Sequence, residues 1–357
     1  MKACFLSSQK TVTLRKRSPA TERSSHLVGD ASSLKSAPQH DKQKGFRKQF
    51  LKESILIVGT GALATLFAAR LAVSGANVTM LGSWQAGLDA LQKDGARLTL
   101  LDGSELIGRV QAVSDPSALS GVRLALVLVK SGESERAARQ LAQSLSANGL
   151  AVSLQNGLGN REMLARFLGA QRVGVGVTTL GATLLGPGHA SLRGDGLISI
   201  ETHPRLGPLQ NCLNAAGFRV DIVPDVNTLL WGKLVISSAI NPLTALLRVP
   251  NGALLERPGA RALMGALARE TAAVAQALGI SLPFTDSTST GSVQAAVEAV
   301  AQQTAANHSS MLQDVQRGAQ TEIDAICGAV VRAGEQAGVP TPVNRVMWQM
   351  LGRFDSW

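Results

Sequence analysis

Tyrosine is absent from this 357-residue sequence, and aromatic residues make up only 3% of it. The apolar content is nevertheless 45%, so Ala, Leu and Val must fill the interior, a composition suited to helices packed on a parallel sheet. Cysteine is nearly as scarce. Cys4, Cys212 and Cys327 are odd in number, widely spaced and without a C-x-x-C pair, which excludes a disulfide framework and a cysteine metal site and points to a reducing compartment. No uninterrupted apolar run reaches the roughly 18 residues of a membrane span. The most apolar helix expected, around 226–248, is broken by Lys233 and Asn241.

What is plentiful is positive charge, in one place. The formal net charge is +10, but residues 1–53 hold twelve Lys/Arg against four Asp/Glu, leaving 23 against 21 for the rest. The basicity therefore belongs to a tail, and a nucleic-acid or anionic-membrane partner for the globular part is not expected. The tail has no apolar periodicity and is expected to be disordered. It has no acidic residue before Glu22, so it reads either as an organellar transit peptide or as translated upstream sequence. The first origin implies an organelle, the second the cytoplasm.

The length suggests two domains. From residue 54, short apolar runs at 55–58, 77–81, 124–129 and 150–154 alternate with helical patterns at 62–74, 85–94 and 133–147, as a parallel α/β sheet requires. Strand-like runs at 172–179 and 197–201 flank the turn Gly186-Pro187-Gly188. From 225 the pattern is helical, at 226–248, 259–278, 290–304, 307–316, 322–337 and 342–352. The expected fold is an α/β domain over 54–224 followed by an α-helical domain over 225–357.

Gly59-Thr60-Gly61-Ala62-Leu63-Ala64 follows the first strand and opens a helix, the setting that makes a dinucleotide fingerprint meaningful. Gly59 permits the tight turn, Gly61 lets a pyrophosphate approach the backbone, and Ala64 stands at the third glycine position. An NAD site usually ends its second strand in an acid that holds the ribose hydroxyls. Here that strand ends Met80-Leu81-Gly82-Ser83-Trp84, which favours NADPH, with Ser83 as a donor to the 2′-phosphate.

Lys233, Ser237 and Asn241 stand at i, i+4 and i+8 on one face of an apolar helix. A lone lysine there would be a rim residue with a snorkelling amine; two polar residues in line with it point instead to a site. Asn307, Ser310 and Asp314 fall on one face of a second helix, equally consistent with a solvated face. Thr321 and Asp324 resemble a capping box, with Glu322 in the first turn suiting the helix dipole.

The segments Val129-Lys130-Ser131, Leu154-Gln155-Asn156-Gly157-Leu158-Gly159-Asn160, Trp231-Gly232-Lys233-Leu234, Asn241-Pro242-Leu243-Thr244-Ala245, Ser309-Ser310-Met311-Leu312-Gln313-Asp314 and Thr321-Glu322-Ile323-Asp324 together resemble the successive signatures of the ketopantoate reductase family. The resemblance spans roughly 55–350. It implies a Rossmann-type N-terminal domain, a C-terminal domain like that of 6-phosphogluconate dehydrogenase, and a catalytic cleft between them. It further implies that NADPH gives hydride to the ketone of ketopantoate, yielding (R)-pantoate for coenzyme A synthesis. Lys233 would be the general acid, and Glu322 would hold the substrate or the lysine. Asn241, Asn307 and Ser310 would bind the substrate's hydroxyl and carboxylate, with Lys130 and Asn156 lining the cofactor site. No metal is implied, and the helical half carries enough apolar surface for a homodimer, the assembly that family commonly forms.

One position departs from that pattern: the family usually has asparagine one turn after the lysine, and this chain has Ser237. Two alternatives stay open. One is a related reductase acting on another 2-keto acid or a β-hydroxy acid; the other is a non-catalytic NADPH-binding protein.

Overall fold

The structure is a computed structural model that describes residues 53–284 and 290–352; apart from Glu53, the tail and the readings made of it lie outside these. Strand β1, Ser54–Val58, shows the construction rule. Ile55 and Ile57 enter one hydrophobic cluster with Leu66 and Phe67, while Leu56 and Val58 enter another with Ala125 and Leu141. Period-2 alternation with both faces apolar is what a strand inside a covered parallel sheet needs. It pairs in parallel with β2, Asn77–Leu81, on one side and β6, Val122–Val127, on the other, so Ile57 faces both Met80 and Leu126.

The sheet runs outward from this centre. Beyond β2 lies β5, Gln111–Val113; beyond β6 lie β7, Leu145–Ser153, β8, Val173–Thr178, β11, Leu197–Glu201, and β12, Arg219–Val223, making eight strands. The expectation of a parallel sheet holds from β5 through β8 but not at β11, which runs antiparallel to β8. The connection explains this. No crossover helix follows β8; the chain turns into the hairpin of β9, Gly181–Gly186, and β10, His189–Gly194, and returns in the opposite direction.

That hairpin joins β3, Ala96–Thr99, and β4, Glu105–Gly108, in a second sheet ordered β4-β3-β10-β9. Helix α1, Ala62–Val73, packs against both sheets and is buried almost all round. Its sequence, apolar on every side, requires such a place. Phe67, fully buried, stacks on Phe218 at 4.6 Å between ring centroids. The first half is completed by α2, Gln85–Asp94, α3, Ser134–Ser144, α4, Asn160–Leu168, and α5, Gly207–Ala215.

After β12 the described chain is helical: α6, Asn227–Leu247, α7, Pro258–Ala277, α8, Thr290–Gln303, α9, Ser310–Gln316, a π-helical turn at Asp324–Gly328 running into α10, Ala329–Ala337, and α11, Pro342–Gly352. The described residues of both halves belong to one contact unit. Helix α6 is the axis of the second half, with Trp231, Leu234, Val235, Ile240 and Leu243 in a core shared with Met264 and Leu267 of α7. By length and composition alone it could cross a membrane, but most of it is buried inside the protein, as a core helix is. Pro242 lies inside α6 and cannot donate to the carbonyl of Ser238 one turn back. The Cys327 thiol faces that carbonyl at 3.9 Å instead.

Candidate active site

The carboxyl ends of β1, β6, β7 and β8 lie along one edge of the sheet, where an open α/β sheet places its ligands. At the end of β1, Gly59 adopts φ +129°, and a Cβ there would sit 3.0 Å from the carbonyl carbon of Leu128. The turn can pass so close to β6 only without a side chain. Gly61 has the opposite surroundings: a Cβ would meet nothing within 4 Å. Its bareness is not required by packing within the chain. The first helical bond of α1 runs from Thr65 N–H to Gly61 O, so the amides of Ala62, Leu63 and Ala64 precede the helical ladder. They offer donors and the positive dipole end to an anion. Ala64 is fully buried and Thr60 nearly so, its methyl filling the space over Gly82, while Ser83 beyond β2 is exposed.

The loop after β7 is built by its polar residues. Buried Gln155 donates from Nε2 to Val129 O at 3.0 Å and to Ser134 Oγ at 2.8 Å, tying the ends of β6 and β7 together. Ser134 donates to Asn160 Oδ1, and Asn160 Nδ2 donates to Asn156 O at 3.0 Å, closing the loop on itself. Gly157, at φ +78°, brings this loop against the helical half: a Cβ there would lie 2.3 Å from Ala325 O in the π-helical turn, and Leu158 N–H donates to that same oxygen at 3.1 Å.

Glu322, 5% exposed, is seated at this junction. Its Oε2 accepts from Asn156 Nδ2 at 2.9 Å, and its Oε1 accepts from Ser131 Oγ at 3.1 Å and Ser131 N–H at 3.3 Å. Lys130 Nζ stands 3.6 Å from Oε2 and donates to Asp314 Oδ2 at 2.8 Å. Burial pulls the Lys130 pKa down, but the Glu322 and Asp314 carboxylates outweigh it and the net shift is upward. Burial raises the pKa of Asp314, opposed by Lys130. Of the capping box only the Thr321 half forms, its Oγ1 accepting from Ile323 N–H at 3.4 Å; the Asp324 carboxylate pairs with Arg332 instead. The π-helical turn begins two residues after Glu322.

On α6, every residue from 231 to 245 is buried except Lys233, Ile236, Ser237 and Asn241. The three polar positions therefore mark the one open stripe of that stretch, as their spacing predicts. Lys233 Nζ donates to Thr178 O at the end of β8, at 2.8 Å, and so reaches the ligand edge of the sheet. The side chain as a whole is half-buried, but the amine at its tip is desolvated, which lowers its pKa to about 8, the attraction of Glu322 opposing the shift.

The second polar face is differently arranged from the expectation. Helix α9 starts at Ser310, capped by Ser309, whose Oγ accepts from Leu312 N–H at 3.1 Å and from Thr244 Oγ1 at 2.7 Å. Asn307 thus lies in the preceding loop and not on the helix face; Asn251 N–H holds it through its carbonyl at 3.0 Å. Asn307 and Ser310 are exposed and Asp314 is buried. For the side chains of Ser237, Asn241, Asn307 and Ser310 no hydrogen-bond partner is found among the described residues.

Two groups escaped the sequence reading. The Thr178 carbonyl that steadies Lys233 has no side-chain signature. Asn251 is 8% exposed, its Nδ2 donating to Thr304 Oγ1 while its Oδ1 has no partner; the only sequence clue was an asparagine just past Pro250 at the end of α6.

Family models described as ketopantoate reductase PanE/ApbA and its C-terminal part match residues 55–205 and 225–354. A 2-dehydropantoate 2-reductase from Archaeoglobus fulgidus is 35% identical over 309 residues, covering 85% of this chain and 98% of the relative. The crystal structure of a PanE/ApbA family ketopantoate reductase from Ralstonia eutropha superposes with a TM-score of 0.78 at 33% identity, covering 85% of this chain and 98% of that one. A D-mandelate dehydrogenase solved with NADH and anilino(oxo)acetate has the same TM-score of 0.78 at 23% identity, again over 85% and 98% of the two chains; that likeness is one of fold.

Proposed function

This chain belongs to the ketopantoate reductase family, and from that premise we propose that it reduces the ketone of 2-dehydropantoate to pantoate with NADPH and with Lys233 as proton donor. The observation that carries this reading is the Lys233 amine, anchored on Thr178 O with a pKa lowered to about 8. It stands at the sheet edge that also bears the Gly59–Ala64 turn and the Asn156–Glu322 junction.

The residues present suit a dinucleotide. The open space over Gly61 and the free amides of α1 fit a pyrophosphate. The missing acid after β2 leaves room for a 2′-phosphate near Ser83. When bound, NADPH supplies the hydride. The chain's own part is electrostatic and acid–base. As the carbonyl carbon takes hydride, the π pair moves onto oxygen, and the Lys233 ammonium first stabilises that charge and then gives it a proton. A pKa near 8 keeps the amine mostly protonated at neutral pH, yet a far better acid than an ordinary lysine. Water restores the proton. Glu322, held by Asn156, Ser131 and Lys130, keeps a negative charge near the amine and sustains its protonated form. Asn241, Asn307 and Ser310, uncommitted within the chain, are the groups to read the substrate's hydroxyl and carboxylate.

Ser237 favours a second reading, a different 2-keto acid, since its short unpartnered hydroxyl leaves more room beside Lys233. Steady-state NADPH oxidation by the purified chain separates the two. Ketopantoate should be turned over at least about 100-fold more efficiently than 2-ketoisovalerate, which lacks the hydroxymethyl group. Equal efficiencies would favour the second reading, and NADH working as well as NADPH would overturn the cofactor assignment.

A further inference from the structure

The Lys130–Asp314 pair links the two halves of the molecule: Lys130 follows β6 in the first, and Asp314 lies on α9 in the second. Asp314 is only 1% exposed, while the Lys130 side chain remains 40% exposed. A buried carboxylate is costly unless paired. This one has two cationic partners, Lys130 at 2.8 Å and Arg317 at 2.9 Å. Arg317, three residues on and just past the end of that short helix, already supplies local compensation. Lys130 must therefore be explained by what else it touches, and that is Glu322, at 3.6 Å. The lysine lies in an alternating row, Arg317, Asp314, Lys130, Glu322, whose charges sum to zero.

Resting on the reductase reading of the site, we propose that Asp314 is a positioning residue for the reduction: it holds Lys130 across the cleft, and Lys130 in turn fixes the Glu322 carboxylate. Without Asp314 the lysine has two courses. It can collapse fully onto Glu322, competing with Asn156 and Ser131 for the same oxygens, or it can turn outward through its exposed side. Either course moves the one carboxylate that acts on Lys233. Asp314 is paired with Lys130 and Arg317, and Lys130 is the group that joins it to Glu322, so the change it causes at Lys233 passes through Lys130 and Glu322.

The test uses the full chain carrying Asp314→Asn, Lys130→Met and both together. Asp314→Asn is expected to lower kcat on the order of 10- to 100-fold, as displacement of a supporting group does, with the NADPH dissociation constant changed less than about threefold. In the Lys130→Met background it should add less than about threefold, because residues acting through one another are not additive. Unchanged kcat in Asp314→Asn, or losses that multiply in the double variant, would overturn the proposal. Lys130→Met covers the case in which Asp314→Asn does not fold, since it must show the same loss. A chain that leaves ketopantoate unreduced sinks the functional reading alone. The coupling is then read without turnover, from the NMR titration midpoint of 13C-labelled Lys233: Asp314→Asn should lower it by about half a unit, and an unmoved midpoint is evidence against the role.

Discussion

Raising the pH through the ionisation of Lys233 is the most informative perturbation of this site. With a pKa of about 8, roughly 90% of the amines carry a proton at pH 7, half at pH 8 and about 1% at pH 10. If the protonated amine is the acid, kcat/KM for keto-acid reduction falls by about tenfold per unit above pH 8 and on the order of 100-fold by pH 10. A lysine at its ordinary 10.5 would leave the same profile nearly flat over this range. Stability should move in the opposite sense. Below pH 8 both folded and unfolded chains hold this proton, and the folded state bears the full cost of burying the charge. Between 8 and 10.5 the unfolded chain binds more protons, so stability rises with pH. Over that window the gain relative to Lys233→Met should be on the order of 3 kcal/mol. The assays are steady-state NADPH oxidation at constant ionic strength and urea unfolding of both proteins across the same range. Lys233→Arg, which does not titrate here, should lose the alkaline limb along with most of its rate. A profile without an inflection between pH 7 and 10, in an enzyme otherwise stable there, refutes the assignment of the acid.

Three further outcomes follow from the packing. Gly61→Ala, whose Cβ meets nothing within 4 Å, should leave the thermal midpoint of the free chain unchanged while weakening NADPH at least about tenfold, since it narrows the approach to the α1 amides; calorimetry with and without NADPH reads both. Gly157→Ala places a Cβ 2.3 Å from Ala325 O at φ +78°, so it should destabilise by about 1–3 kcal/mol and lower kcat as well, because the displaced loop carries Asn156. Phe67→Ala empties a fully buried, stacked position and should cost about 3–5 kcal/mol in urea unfolding, with kcat per folded molecule little changed.

The legible parts of the fold were those where one face or one period dominates. β1, β2 and β11 are apolar runs with clear ends, and the long helices α6, α7 and α11 keep their repeat within a residue or two of the expected limits. The second sheet was not legible: β3 and β4 are four residues each, half-polar, and the hairpin they form is completed only by β10, which pairs with β3 from some ninety residues downstream. α4 was missed although Gly159 and Gly169, both at positive φ, bracket it; only Asn160, Leu164 and Leu168 are buried, too few for a strong stripe. At the site, Lys233, Ser237 and Asn241 could be placed on one face because helical geometry alone aligns them. Asn307 falls on the helix face only if the helix begins before it; Ser309, a good N-cap, starts the helix at Ser310 instead. From local sequence Glu322 reads as a helix-dipole residue, and its partners Ser131 and Asn156 are 191 and 166 residues away in the chain. Asn251 gave no periodic signal at all.

The measurement that bears most directly on the account is a single turnover with NADPH already bound. Ketopantoate is mixed with the full chain and with its Lys233→Ala variant, and the nicotinamide absorbance is followed. The wild-type chain should oxidise its bound NADPH in one exponential, and the variant should bind NADPH equally well but oxidise it at least about 1,000-fold more slowly. A variant that turns over within tenfold of the wild type would contradict the claim that the Lys233 amine delivers the proton.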